Sequence, residues 1–571
     1  MREGSANHAF AATFVDQLAA SGLRDAVVAP GSRSAPLAMA LARHPGIRVH
    51  VHIDERSAGF YALGMAKAAG RPPALLTTSG TAAAELHAAV IEARQSFSPL
   101  IVLTADRPPE LRDSGANQSI DQIRLFGSAP RWFCDTGTPE WVPGAERVWR
   151  RLAARACAEA AGPPAGPVHL NCAFREPLTP PPDSPPRALP AGLPFRFSAR
   201  RAEPPPGAAA SLAEELQKAQ RPVLVAGTMA DGARLAEPLA ALARGGAPLL
   251  AEATSGCRVS GLPGVVGAYD ALLRDWSWAA AHRPDLVLRV GGTPTSKALN
   301  AWLAASQPRT LLVDPDRAWA DPDSLATEIV ACDPEPLLAE AGALVRPRSS
   351  AWAEAWARGS EVAAAALGGA LDKTPLHEGH AVRALARHLR PDATLVVGSS
   401  MAIRDVDAFW PVQAGGPRFL ANRGASGIDG LVSTALGVAA AGGPTVALLG
   451  DLSLYHDMNG LWAVRRHGLS ATFVVLDNDG GGIFSHLPPA EHEDVFEELF
   501  GTPLGLRMED VAALYGLRFA SVDSAAHLDR MLAALLGSGD ATLVAVRFRR
   551  EGSLAGHRAA WRAVSEALAG G

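Results

Sequence analysis

An acid and an amide stand at the ends of two apolar runs in the last third of the chain. Val446-Ala-Leu-Leu449 leads into Gly450-Asp451-Leu452-Ser453, and Phe473-Val-Val-Leu476 leads into Asp477-Asn478-Asp479-Gly480-Gly481-Gly482. A buried strand ending in a carboxylate turn, beside another ending in an amide and glycines, brings two oxygen ligands to one sheet edge. Asp451 and Asn478, 27 positions apart, suit a hard cation such as Mg²⁺, which also takes phosphate oxygens. The glycines let the backbone approach a diphosphate closely and offer N–H donors.

A second carboxylate is prepared far upstream. Ile47 to Ile53 alternates as a strand, and the stretch from Asp54 to Ala66 follows with small residues at 58, 62, 64 and 66, one smooth helix face. Glu55 opens that helix, where the macrodipole favours an acid. Arg33, Arg107, Arg404 and Arg423 sit in Gly-, Pro- or Ser-rich turns after predicted strands. There, forked guanidinium groups can grip carboxylates. Only four of the 53 basic residues are lysine (67, 218, 297 and 373), so Lys297 hints at a need for a compact point charge. His50, His52, His456 and His486 have no partnered spacing and read as structural.

The elements that must position these groups follow from the apolar runs. A chain of 571 residues should hold about three domains. Strands are expected at Ala26–Ala29, Arg48–Ile53, Ala74–Thr77 and Leu100–Leu103, with helices near 35–44, 56–69 and 81–94 between them. Such alternation predicts a parallel sheet covered by helices, with ligands at the loops after the strands. A second set lies at Val223–Ala226, Leu249–Ala251, Leu286–Val290 and Thr310–Val313, and a third at Thr394–Val397, Arg418–Ala421, Thr445–Leu449, Ala471–Leu476 and Thr542–Val546. Eleven prolines between 177 and 206 mark a linker. The expected division is a first α/β domain at 1–185, a linker at 186–206, a middle domain at 207–348 and a third domain at 349–571.

Composition narrows the partners. A net charge of −5 argues against nucleic-acid binding. Five cysteines without paired spacing are most simply reduced thiols of a cytoplasmic protein. No signal-peptide pattern and no run of 18 apolar residues is present, so no membrane span is expected.

The two carboxylate motifs together resemble those of thiamine diphosphate enzymes of the pyruvate decarboxylase and acetolactate synthase type. In their usual form Gly-Asp-Gly is followed by Asn-Asn; here Leu452 and Asp477 depart from it. The loops are more specific. Ala29-Pro-Gly-Ser-Arg-Ser-Ala-Pro-Leu37, His52-Ile-Asp-Glu-Arg-Ser-Ala-Gly-Phe60, Leu103-Thr-Ala-Asp-Arg-Pro-Pro-Glu-Leu111, Gly115-Ala-Asn-Gln118 and Asn422-Arg-Gly-Ala-Ser-Gly-Ile-Asp-Gly430 resemble one family, as do Pro294-Thr-Ser-Lys297 and Gly482-Ile-Phe-Ser485. It is the 2-succinyl-5-enolpyruvyl-6-hydroxy-3-cyclohexene-1-carboxylate synthases of menaquinone biosynthesis.

That resemblance implies three doubly wound α/β domains and a transferase that joins decarboxylated 2-oxoglutarate to isochorismate by conjugate addition. It implies thiamine diphosphate and Mg²⁺, or Mn²⁺ in its place, as cofactors. Glu55 would hydrogen-bond the aminopyrimidine ring. Asp451, Asn478 and Gly480 would hold the metal, with Ser400, Ile428, Gly450, Leu452, Ser453, Gly481, Gly482, Ile483 and Phe484 around the cofactor. Ser32, Arg33, Arg107, Asn117, Gln118, Lys297, Ser400, Arg404, Arg423, Ile483, Phe484 and Leu487 would meet substrate. In this superfamily Glu55 and the metal motif meet across a subunit interface, which implies a homodimer or a dimer of dimers. Ala298 and Ser399 depart from some relatives' Arg and Asn. Two alternatives stay open: an acetolactate synthase-like or oxidase-like enzyme carrying FAD, and a non-catalytic protein of the same fold.

Overall fold

Short apolar runs separated by helical stretches fold as parallel strands joined by helical crossovers, because only a crossover returns the chain to the same end of the sheet. The computed structural model describes residues 3–180, 188, 195, 197, 202–229 and 231–570; most of the expected linker at 186–206 lies outside them. Among the described residues the strands form three six-stranded sheets. The first holds β1 (Asp25–Val28), β2 (Arg48–Val51), β3 (Ala74–Thr77), β4 (Leu100–Asp106), β5 (Trp132–Asp135) and β6 (Pro167–Ala173), in the order β2-β1-β3-β4-β6-β5. The second holds β7 (Pro222–Ala226), β8 (Leu249–Ala251), β9 (Val265–Val266), β10 (Leu286–Val290), β11 (Arg309–Val313) and β12 (Glu328–Val330), in the order β12-β11-β10-β7-β8-β9. The third holds β13 (Thr394–Val397), β14 (Arg418–Ala421), β15 (Thr445–Gly450), β16 (Thr472–Asp477), β17 (Arg518–Val522) and β18 (Thr542–Arg547), in the order β14-β13-β15-β16-β18-β17.

Every strand pairing in these sheets is parallel. The fold is therefore α/β, as the alternation predicts. The first and third sheets repeat one strand order, while the second follows the doubly wound order of dinucleotide-binding folds. Among the described residues no helix is long and apolar enough to cross a membrane. All five cysteines are free.

The chain divides into two compact units, and neither is continuous in sequence. One comprises Met1–Arg200, Asn422–Gly442 and His456–Leu469; the other comprises Arg201–Ala421, Gly443–Tyr455 and Ser470–Gly571. In the first unit the helix Glu55–Ala69 lies against the helix Leu431–Ala441 with backbone nearly touching backbone. A Cβ at Gly64 would stand 2.0 Å from the Thr434 carbonyl oxygen, and one at Gly437 would stand 2.0 Å from that of Tyr61. Glycine is thus required by the packing at both positions. In the second unit the second and third sheets are joined by a buried pair, Arg258 Nη2 to Asp407 Oδ1 at 2.6 Å.

Candidate active site

β15 and β16 are parallel neighbours, with Gly450 opposite Leu476. Asp451 and Asn478, the residues just beyond, therefore emerge side by side at the same edge. Asp451 accepts from the Leu452 N–H at 2.7 Å and, across the strand gap, from the Gly480 N–H at 2.8 Å. Gly480 has φ of 136°, and a Cβ there would stand 2.0 Å from the Gly501 carbonyl oxygen, so glycine is obligatory. A Cβ on Gly482 would reach within 2.5 Å of the Asn478 amide nitrogen. A cation fits this arrangement. Asn478 Oδ1 is buried with no hydrogen-bond partner. Asp451 is pushed up to about 6: burial raises it, the Gly480 and Leu452 N–H groups oppose the rise, and Asp477 and Asp479 add to it. A positive ion would satisfy the orphaned oxygen and relieve the buried carboxylate.

β13, on the other side of β15, delivers Ser400 to the same sheet edge. Ser400 has φ of 67° and caps the helix Met401–Phe409. Arg404, one turn in, is exposed and donates to the Ser400 carbonyl. Beyond the glycines, Ile483 and Phe484 are half-buried and Leu487 is exposed. Phe484 packs on Phe500 with ring centroids 5.4 Å apart. None of the three belongs to the buried clusters found among the described residues of this unit. Lys297 comes from the second sheet. It opens the helix Lys297–Ser306 after β10, exposed, behind a Ser296 cap whose hydroxyl donates to Asp270 at 2.6 Å.

In the other unit the loops after β2, β1, β3 and β4 line one edge in that spatial order. Glu55 follows β2 and starts its helix behind the Asp54 cap, which accepts from the Ser57 N–H at 3.0 Å. Its carboxyl lies above the ordinary range, through burial and then the charges of Asp54 and Glu85. After β1, Gly31 crosses so close to Thr78 that a Cβ would lie 2.2 Å from the Thr78 Cβ. This close passage sets Arg33, which donates to the Phe174 carbonyl at 2.9 Å and pairs with Glu176 at 3.2 Å. Arg107, after β4, donates to the Ser79 hydroxyl. Burial and then the charge of Arg33 lower the Arg107 pKa, so the two guanidinium groups sense one another. Ser32, Asn117 and Gln118 are exposed, with Gln118 at φ of 53° against Gly80.

The loop from Asn422 to Gly430 carries Arg423 and Ile428, both half-buried. Glu92 fixes it: its carboxylate accepts from the Gly424 N–H at 3.0 Å and the Ala425 N–H at 2.6 Å, beside Lys67 at 3.1 Å. Sequence reasoning missed this buried pair, although Lys67 was one of four lysines in an arginine-rich chain. It also missed Asp457, which accepts from Ser433 N–H and hydroxyl and from the Ser57 hydroxyl, tying the two close-packed helices. Gln122 was missed as well; it accepts from the Gly80 N–H at 2.9 Å and donates to the Ala105 carbonyl at 3.1 Å, joining two site loops. His50 is structural, as expected, near Asp25 and Tyr61.

Residues 8–125 match the family described as thiamine pyrophosphate enzyme, N-terminal TPP binding domain. Residues 209–397 match the middle domain of thiamine pyrophosphate enzymes, and 403–546 their C-terminal TPP binding domain. Fold and site together define a thiamine diphosphate enzyme. Within that class the chain is 44% identical to the 2-succinyl-5-enolpyruvyl-6-hydroxy-3-cyclohexene-1-carboxylate synthase of Geobacillus kaustophilus, over 98% of both chains. Its likeness to the synthase of that name from Chloroflexus aurantiacus is 44% over 98% of this chain and 96% of the relative, and to that of Haloarcula marismortui 41% over the whole of both. The chain belongs to this family, as its loop motifs suggested.

Proposed function

We propose that the protein is a 2-succinyl-5-enolpyruvyl-6-hydroxy-3-cyclohexene-1-carboxylate synthase, which decarboxylates 2-oxoglutarate and adds the remaining four-carbon unit to isochorismate. The reading rests above all on the adjacent strand ends that pair Asp451 with an orphaned Asn478 oxygen, in a chain carrying this family's loops. Asp451, Asn478 and Gly480 would hold Mg²⁺, or Mn²⁺ in its place. Gly450, Leu452, Ser453, Gly481 and Gly482 would cradle the diphosphate, with Ile428 beneath the cofactor and Ser400, Ile483 and Phe484 beside it. When bound, thiamine diphosphate supplies the electron sink for loss of CO₂ and for the new carbon–carbon bond.

The chain's own groups do the positioning and proton work. Glu55, whose carboxyl is shifted upward by burial, would share a hydrogen bond and its proton with a ring nitrogen. Arg33, Arg107, Arg404, Arg423 and Lys297 supply cations for substrates that each carry two carboxylates, and Ser32, Asn117 and Gln118 add neutral donors and acceptors. Ile483, Phe484 and Leu487 offer an apolar wall that keeps water from the reacting carbons. We place the domains at 1–185, 207–348 and 349–571, the protein in the cytoplasm, and its assembly as a homodimer or a dimer of dimers. Glu55 of one subunit would then serve the metal site of its partner.

The test is an assay of 2-oxoglutarate consumption and CO₂ release with and without isochorismate, in thiamine diphosphate with Mg²⁺ or with chelator. Coupled product formation that needs isochorismate and is lost on chelation is expected. Turnover of pyruvate instead, with a flavin absorbance in the purified protein, would overturn the reading in favour of an acetolactate synthase-like enzyme.

A further inference from the structure

The helix Met401–Phe409 buries two carboxylates on nine residues, which is costly unless each is paired. Asp407 is met by Arg258 at 2.6 Å and by the Tyr269 hydroxyl, which donates to its other oxygen at 2.6 Å; Arg258 also donates to the carbonyls of Asp407 and Trp410. Asp405 is met by His557 Nε2 at 2.7 Å, and His557 Nδ1 donates to the Ser553 carbonyl at 2.9 Å. Below them Ser553 donates to Glu378 at 2.6 Å. Asp405, Glu378 and His557 are all buried.

His377, Glu378 and His557 offer ligand atoms within 4.8 Å of one another, which raises the question of a metal. The hydrogen bonds speak against one. Both His557 nitrogens are engaged, and His377 Nδ1 already accepts from the Gly379 N–H at 3.2 Å, which leaves the ring proton on its Nε2, a buried atom with no hydrogen-bond partner among the described residues. A metal needs an imidazole lone pair that this network does not leave free.

The same imidazole faces both walls of the proposed substrate site. On one side it holds Asp405, the residue after Arg404, and packs on Phe409 with centroids 5.6 Å apart. On the other it packs edge-on against His486, 5.2 Å away, the last residue of the turn carrying Ile483 and Phe484. We propose that His557, through Asp405, is a positioning residue that sets Arg404 and Ser400 against the Ile483–Phe484 wall, so that a dicarboxylate substrate finds its cation in place. This rests on reading Ser400 and Arg404 as substrate contacts.

The surroundings suit a charged His557. Burial alone would lower it, but the charge and hydrogen bond of Asp405 and then the charge of Glu378 carry it up to about 9. Its other ionisable neighbours do not compete. His377 is lowered to about 2 by burial and then by the charges of His557 and His380, and His486 to about 4 by burial and then by His557, Arg274 and Arg558. An imidazolium between two acids fixes direction as well as distance, and a guanidinium displaced by about 1 Å can cost on the order of 100-fold.

The experiment uses the full-length enzyme loaded with thiamine diphosphate and Mg²⁺. His557→Gln and Asp405→Asn are compared with wild type for 2-oxoglutarate KM and kcat, for calorimetric affinity of the unreactive dicarboxylate glutarate, and for cofactor affinity. Each variant should raise KM and weaken glutarate binding about 10-fold or more, leave cofactor affinity within about twofold, and add no further loss in the double variant. Wild-type glutarate affinity should fall as pH rises through about 9, when His557 loses its charge, and the fall should be absent in His557→Gln. Unchanged glutarate affinity in a folded variant, equal loss of cofactor and glutarate binding, or a flat wild-type profile across pH 8 to about 10 would each overturn the proposal. The wild-type profile decides even where a variant fails to fold. A wild type that binds glutarate but does not consume 2-oxoglutarate would count against the substrate reading alone; one that binds neither would remove both.

Discussion

Arg33 and Arg107 are constrained by their own loops before any substrate arrives, one against the Phe174 carbonyl and Glu176, the other against Ser79. Burial and then the charge of Arg33 lower the Arg107 pKa, and the charges of Asp106 and Glu176 offset this only in part, so a further carboxylate would be favoured there. Charge-assisted hydrogen bonds are worth roughly 1.5–3 kcal/mol, so Arg33→Ala or Arg107→Ala should lower kcat/KM by about 10- to 150-fold, with calorimetric cofactor affinity intact. Lysine at either position should fail to restore it, for want of a two-pronged donor. Asp457 tests burial by a different route. Burial raises its carboxyl to about 6 from 3.8, against the pull of the Ser433 and Ser57 hydrogen bonds and the charge of Arg56. A raised carboxyl means that the folded protein binds the proton more tightly than the unfolded chain. Its contribution to stability therefore falls as pH rises from about 4 to about 6 and is level above, by at most about 3 kcal/mol. Asp457→Asn, which cannot ionise, should lose that slope when urea unfolding is followed across the same range. Equal slopes in the two proteins would sink this account.

At the scale of elements, the helix pair Glu55–Ala69 and Leu431–Ala441 makes the sharpest demand. Gly64→Ala would drive a methyl to 2.0 Å from a backbone oxygen and should cost about 1–3 kcal/mol or more in chemical unfolding. Gly368→Ala, in the helix Ala351–Leu371 with nothing within 4 Å of the new methyl, should instead gain about 0.5–1 kcal/mol. The same contrast explains what could be read from sequence. Strands with an unbroken apolar run at their centre, such as Pro222–Ala226 and Thr472–Asp477, were legible because both faces are buried. Strands β5, β9, β12 and β17 went unread; they are sheet edges, short or partly exposed, and Glu328 and Arg518 open two of them. β6 is interior but interrupted by His169 and Asn171, whose polar atoms bond Thr104 and the loops around it. The strand-end placement of Asp451, Asn478 and Glu55 was legible because glycines or an apolar run flank each of them. Glu92, Asp457 and His557 were not, because their partners are tens to hundreds of residues away and no local pattern announces a long-range hydrogen bond.

Glu55 and Asp451 belong to different compact units of the chain. If each complete site draws Glu55 from one subunit and Asp451 from another, two separately inactive proteins should complement. Glu55→Gln and Asp451→Ala chains, co-expressed and mixed at random, should give about a quarter of wild-type activity, because about half the dimers are mixed and each of those keeps one intact site of two. No recovery, with mixed dimers isolated by differential tags, would show that each site is built within one subunit.

The first compact unit is assembled from three separate stretches, the last ending at Leu469. A ribosome that has finished Arg200 must add about 270 more residues before that unit has all its parts, on the order of 13–54 s at 5–20 residues/s. For about 240 of those residues, until Ala441 has been added, the face of the helix Glu55–Ala69 that will receive Leu431–Ala441 has no covering partner. The nascent protein therefore carries a dependable window for chaperone capture, set by chain connectivity rather than by any single residue.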